Sequence, residues 1–280
     1  MTHPVSQSQS PDIADISARL RSARLSATAL ADFPGIIPTT HEQAYAVQNL
    51  SIDKWPDTLV GFKVGGIPPH FRDQFGANWL AGPVFSRNVY SITDGETADV
   101  EVFPGGFAAY EAEWVFTLAN IDWSRTEPFS LEDAKAAISS VNIGTEIASS
   151  PMPMVNDLGP GSIISDFGNN SSVWIGPAAD LSVLDRLDEA TVSVDIDGQR
   201  IGTATTNPGE NGPLGAVRFL LNHLQTRQDQ IELPEKILVS SGAVTGVHSA
   251  AIGSTGLMTF EGLGRFGLNM IPKKAEPSVV

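Results

Sequence analysis

Glu111 and Glu113 stand two residues apart inside an apolar run, Phe107 to Ala119, that contains neither proline nor glycine. The run is rich in aromatic and β-branched residues and predicts a buried strand. Side chains at i and i+2 of a strand project to the same face, so the two carboxylates point together. Like charges that close, in poorly hydrated surroundings, repel one another and resist leaving water. A hard divalent cation that takes oxygen ligands, such as Mg²⁺, Mn²⁺ or Ca²⁺, is the simplest partner that relieves both. The alternative is an edge strand whose glutamates face solvent.

The elements needed to hold such a pair are legible around it. The chain has 280 residues, 41% of them hydrophobic, enough for one large domain or two ordinary ones. Its formal net charge of −15 argues against nucleic acid or an anionic membrane as partner. It has no cysteine, which excludes disulfides, thiolate chemistry and Cys-ligated zinc. No stretch is long and apolar enough to span a membrane. Met1 to Pro11 is polar and Ser/Gln-rich with no apolar core, and is expected to be a disordered tail rather than a signal peptide. A cytoplasmic location is the default expectation.

Residues 12–56 are expected to be helical. Ile13, Ile16, Leu20, Ala23 and Leu25 recur at near-helical spacing across Asp12 to Phe33, and Thr40 with Gln43 predicts a capping box ahead of a second helix running towards Trp55. Residues 57–272 read as mostly β. Leu59 to Gly65 is a short strand, and Pro68 to Gly82 a loop or short-helix lid. Ser130 caps a helix over Leu131 to Ser140, and Ala190 to Arg200 folds back at Asp197-Gly198 as a hairpin. Pro213 to Leu224 predicts a helix, Lys236 to Ser240 a strand, and Met258 to Leu268 a strand pair. Residues 273–280 read as a tail.

Taken in order, five segments resemble the 2-keto-4-pentenoate hydratase group of the wider fumarylacetoacetate hydrolase-like superfamily. They are Gly61-Phe-Lys63-Val-Gly65, Tyr110-Glu-Ala-Glu113, Glu146, Ser165-Asp166-Phe-Gly-Asn-Asn170 with Ile175-Gly176, and Ser241-Gly242-Ala-Val-Thr245-Gly246. The resemblance spans roughly residues 12 to 272. It implies an α+β fold in which a mixed β-sheet rolls into a distorted barrel behind an N-terminal helical segment. It also implies Mg²⁺ or Mn²⁺ held by Glu111, Glu113 and Glu146, with open positions that a 2-keto acid or 2-hydroxydienoic acid chelates, so that an enolate becomes accessible.

Lys63, costly to bury without a partner, would hold the substrate's carboxylate or enolate oxygen and donate a proton; a surface lysine whose stem packs on the fold is the alternative. Thr245 resembles a carboxylate-receiving position, and Gly242 would let backbone approach the ligand; a structural turn is the other reading. Asp166 could orient Lys63 or a water, or form a turn with its own backbone. The hydratases carry an acidic residue in the loop after the lysine strand, yet Gly76 to Gly82 here holds no carboxylate. His70 and Asp73 are the substitutes within reach in sequence.

The implied activity is therefore a metal-dependent hydratase, a hydro-lyase. The alternative is a C–C hydrolase or decarboxylase of an acylpyruvate or β-diketo-type acid on the same metal, and a non-catalytic small-acid binder is a third reading. The apolar Trp174-Ile-Gly-Pro177 stretch and the relatives' habit imply a homo-oligomer.

Overall fold

Helix caps and glycine breaks divide the chain into short elements in the computed structural model, which describes residues 11–276. The expected tail over 1–11 therefore lies outside the described residues except for Pro11, as do the last four residues of the expected tail over 273–280.

Helix α1 (Ile13–Leu25) is capped by Asp12, whose carboxylate accepts from the Asp15 N–H. It ends well before Phe33 because the chain turns at Ala27, which is left-handed at φ 49°. Helix α2 (His41–Asp53) is capped by Thr40, which accepts from the Gln43 N–H. The Gln43 side chain reaches back to the Thr39 N–H rather than that of Thr40, so only half of the expected capping box forms.

Then follow β1 (Leu59–Gly66), α3 (Pro69–Phe75), β2 (Trp79–Phe85), β3 (Val89–Ser91), β4 (Thr97–Val102) and β5 (Phe107–Leu118). Helix α4 (Leu131–Ala137) carries a full capping box between Ser130 and Asp133 and passes straight into β6 (Ile138–Ser150), so the helix expected to reach Ser140 stops one turn early. After α5 (Pro160–Ser165) come β7 (Asn170–Ala179), β8 (Thr191–Ile196), β9 (Gln199–Thr205), α6 (Pro213–Gln225), β10 (Ile237–Ser240), β11 (His248–Ser249), β12 (Thr255–Phe260) and β13 (Gly264–Pro272).

Among the described residues the strands form two mixed sheets. The larger runs β2-β1-β10-β5-β6-β7-β3 with β11 beside β5, and the smaller runs β4-β13-β12-β8-β9. The larger sheet curls into a half-barrel, as expected for a distorted barrel. Its central strand, β5, is buried on both faces. Tyr110, Ala112, Trp114, Phe116 and Leu118 enter the main core together with Phe260, Phe266 and Leu268 of the smaller sheet. A second core joins α1 and α2 to Ile67, Leu80, Met152 and Ile164.

The expected lid is only partly a lid. Residues 69–75 form α3, but β2 pairs antiparallel with β1 and most of it is buried. Gly82 and Pro83 are both accommodated within this strand. A Cβ at Gly82 would lie 2.1 Å from the Phe167 carbonyl oxygen, and Pro83 sits on a strand at the end of the sheet, where a missing N–H costs least. Trp174, expected on an associating surface, is 6% exposed and stacks on Tyr90 with ring centroids 4.7 Å apart.

Tyr110 ties the sheets together. Fully buried, its hydroxyl donates to the Leu268 carbonyl at 2.9 Å and lies 3.0 Å from that of Ser254. Replacing Tyr110 by Phe should cost about 1 kcal/mol, the net worth of a buried hydrogen bond. It should lower the urea midpoint without changing the denaturant slope; an unchanged midpoint would show that the hydroxyl contributes nothing to joining the sheets.

Candidate metal centre

Directly paired residues of a sheet project to the same side, and so do alternate residues of one strand. Glu146 of β6 pairs with Glu111 of β5, so these two and Glu113 share a face. On the other side of β5, Ser240 of β10 pairs with Val115, and Lys63 of β1 pairs with Ser240. Four adjacent strands thus deliver Lys63, Ser240, Glu113, Glu111 and Glu146 to one patch. β5 is interior to the sheet, and Glu111, Glu113 and Glu146 are 5%, 0% and 0% exposed, so the wet edge-strand alternative is excluded.

Two of the carboxylates, Glu113 and Glu146, are gripped from behind. The Ser240 hydroxyl donates to Glu113 Oε2 at 2.5 Å, and the Gly242 N–H donates to the same oxygen at 3.0 Å. Asn170 Nδ2 donates to Glu146 Oε1 at 3.0 Å. The outer oxygens are left over: Glu113 Oε1 and Glu146 Oε2 are buried with no hydrogen-bond partner. Lys63 Nζ lies 2.7 Å from Glu146 Oε2, an ion pair whose approach falls outside hydrogen-bonding directions. One ligand atom from each of Glu111, Glu113 and Glu146 lies within 4.8 Å of the others. Three negative charges face one ammonium, leaving two unbalanced, which is the charge of one divalent cation. An all-oxygen donor set with unsatisfied lone pairs fits a hard ion.

The electrostatics follow from burial. Desolvation raises Glu111 to about 7, opposed by Lys63 and reinforced by Glu146. Desolvation, then Glu146 and Glu111, push Glu113 well above the usual carboxylate range. Burial alone would lower Lys63, but Glu146, Glu111 and Glu113 outweigh it and hold the ammonium above its ordinary value. Lys63 is therefore a cation throughout the neutral range.

The patch opens into a cavity of about 350 Å³ whose wall includes Lys63, Glu111, Trp79, Asn169 and the Ser241–Val244 loop. Gly242 lines it at φ 94°, but its N–H is already given to Glu113 and is not free for a substrate carboxylate. Thr245 does not line it; its hydroxyl is 3.0 Å from His248 Nε2. His70 and Asp73 lie on the exposed side of α3, His70 with its ring against Phe71, and neither reaches the cavity. Asp166 orients neither Lys63 nor an open water position. It is 1% exposed and its carboxylate is taken by Arg24, with Nε 2.5 Å from Oδ1 and Nη2 3.0 Å from Oδ2.

Ser240, Asn170 and Arg24 were not singled out from the sequence. Asn170 could have been, since it ends the Asp166-to-Asn170 segment. Ser240 could have been found only through strand register, and Arg24 carries no local signal.

No protein-family model matches the sequence, and no curated protein does. Solved structures do match in fold. One is the 4-oxalocrotonate decarboxylase of Pseudomonas putida G7 complexed with magnesium and adipate. It shares 22% identity at a TM-score of 0.72 over 92% of this chain and 97% of that one. The chain has the fumarylacetoacetate hydrolase-like fold. A fumarylpyruvate hydrolase from Pseudomonas aeruginosa, in complex with Mn²⁺ and pyruvate, is similar at 19% identity and a TM-score of 0.55, over 79% of this chain and 94% of that one. Within this fold the buried carboxylates of the present chain occupy the interior of the half-barrel sheet.

A pH dependence follows. In the unfolded chain both glutamates titrate near 4.3, whereas in the metal-free fold burial raises Glu111 to about 7 and pushes Glu113 well above its ordinary value. Between those values the folded state holds more protons than the unfolded state, so stability falls as pH rises. Cation binding needs the deprotonated ligands and therefore strengthens over the same range. The melting temperature of EDTA-treated protein should decline from pH 5 to 8, and the rise produced by Mn²⁺ should grow. The Glu113→Gln variant should lose much of that decline. A profile identical in the variant would show that the carboxylates do not hold those protons.

Proposed function

We propose that this chain is a divalent-metal-dependent lyase acting on a 2-keto acid, and that its reaction is loss of CO₂ from a substrate bearing a second carboxylate β to, or conjugated with, the keto group. One observation carries this reading. Among the described residues, the cavity wall holds Glu111 and Lys63 but no other carboxylate and no histidine. Hydration and C–C hydrolysis both need a group to activate or deliver water. The candidates for that work are elsewhere: Asp166 is paired with Arg24, and His70 and Asp73 are on exposed α3. Decarboxylation needs no activated water. This favours the decarboxylase alternative over the hydratase expected from the sequence.

Glu111, Glu113 and Glu146 would hold the cation; magnesium and Mn²⁺ in the two similar structures support a hard divalent ion. When bound, it supplies Lewis acidity toward a chelating carboxylate and 2-keto oxygen. Ser240, Gly242 and Asn170 keep the ligands oriented. The bond to the departing carboxyl carbon breaks, its electron pair moves into the conjugated system towards the 2-oxygen, CO₂ leaves and one proton returns. Lys63 would stabilise the oxygen that gains charge and could supply that proton. Trp79, Leu80 and Ile163 in the wall limit water around the reacting carbons.

The test is NMR with Mg²⁺ or Mn²⁺ in D₂O against monocarboxylic 2-hydroxydienoates, acylpyruvates and unsaturated 2-keto dicarboxylates. The expected outcome is CO₂ release from the dicarboxylates alone. A 4-hydroxy-2-keto product from a dienoate would establish hydration and sink the decarboxylase reading. In the active assay Lys63→Met should lower kcat at least about 100-fold, the scale of a lost general acid. Glu113→Gln should abolish turnover through loss of the cation.

A further inference from the structure

We propose that Arg24, on the N-terminal helix, is a positioning residue for the metal centre, acting through a left-handed turn that aims Asn170 at Glu146. The inference rests on the metal centre proposed above, but not on which reaction it catalyses.

Three consecutive residues, Phe167, Gly168 and Asn169, have positive φ values of 56°, 64° and 54°. A bulky residue such as phenylalanine seldom adopts that conformation and keeps it only where its surroundings over-determine it. Arg24 supplies much of that determination. Its Nη2 donates to the Asp166 carbonyl at 2.8 Å and its Nη1 to the Asn170 carbonyl at 2.8 Å, one at each end of the turn. The same guanidinium takes both oxygens of the Asp166 carboxylate, a bidentate pair 142 residues apart in sequence. Phe167 is wedged under it, with the Arg24 guanidinium 5.2 Å from the ring centroid and Phe85 and Trp55 on its other sides.

The turn touches the centre at two points. Its last backbone step leads into Asn170, whose Nδ2 holds Glu146 Oε1 at 3.0 Å. Its middle residue packs on the lysine: a Cβ at Gly168 would lie 3.0 Å from Lys63 Cδ. Glu146 and Lys63 form the ion pair of the site, so a shift of this turn moves both members. A bidentate clamp serves this better than a point charge, because a planar fork fixes direction as well as distance. Lysine at position 24 would keep the charge and lose the fork.

The experiment is calorimetric titration of full-length protein with Mn²⁺, with melting temperatures recorded alongside. Asn170→Ala, which leaves every Arg24 contact in place because the one to residue 170 is to its backbone carbonyl, should weaken Mn²⁺ binding 10- to 100-fold. Arg24→Lys should weaken it to a similar degree. The double variant should bind no worse than Asn170→Ala, since both changes remove the same restraint on Glu146. If Arg24→Lys does not fold, Asp166→Asn, which retains the carbonyl contacts, carries the same expectation. Wild-type affinity in a destabilised but folded Arg24→Lys protein, or multiplied effects in the double variant, would make Arg24 a purely structural residue and overturn the proposal. Absence of Mn²⁺ binding by the wild-type protein would instead overturn the metal centre itself, and this inference with it.

Discussion

Three carboxylates lie buried within one small patch of sheet against a single ammonium, and the rest of the structure is arranged around that imbalance. Burying ionised groups is affordable only when charge and hydrogen bonds are both supplied. The fold provides the hydrogen bonds in full at the back of Glu113 and Glu146, through Ser240, Gly242 and Asn170. It provides charge only in part, through Lys63. Glu113 Oε1 and Glu146 Oε2 remain without a hydrogen-bond partner, the latter with only the Lys63 ammonium beside it. The deficit is local and has the sign and size of a divalent cation.

Positioning such a cluster needs a scaffold stiff enough to resist the repulsion. β5 has strands on both sides and apolar packing on its opposite face, where Trp114 and Phe116 lie fully buried. The alternation of the strand separates these roles: even positions anchor, and Glu111 and Glu113 share the opposite face, where Glu111 lines the cavity. That alternation is hidden in the sequence because Ala109, Val115 and other odd positions are apolar as well, so the run looks uniformly buried. What remained legible was the pair of charges within it, which fitted either a joint ligand or a wet edge strand until the strand's neighbours were known.

Legibility follows contact distance along the chain. Local features could be read: the Ser130 cap, the Asp197-Gly198 hairpin and the shared face of Glu111 and Glu113 all depend on residues a few positions apart. Glu146 entered only through the ordered resemblance of five segments, since no local pattern distinguishes it. Features set by distant backbone were misread. The start of β2 fell within the loop or lid expected over Pro68 to Gly82, but Gly82 is there for the Phe167 carbonyl arriving from elsewhere. Asp166 could be read from the sequence as orienting Lys63 or a water, or as forming a turn with its own backbone. Its partner, Arg24, sits on a helix whose sequence gives no hint of reaching the centre.

The distribution of charge bears on the reaction as well. The chain carries 32 acidic and 17 basic residues, so its overall field repels an anionic substrate. Capture must come from the centre, which a bound divalent ion would bring to neutrality. Beyond that centre the cavity wall offers asparagine side chains, Trp79 and Val244 but no second cation. At the end of α6 that faces the cavity, the Gly212 N–H is donated to the Gly209 carbonyl, and Pro213 has none to give. A second carboxylate on the substrate would therefore sit opposite neutral groups, less stabilised than in water. Under the reaction proposed above, its departure as CO₂ would take a charge away from those neutral groups, while the electrons left behind would move towards Lys63.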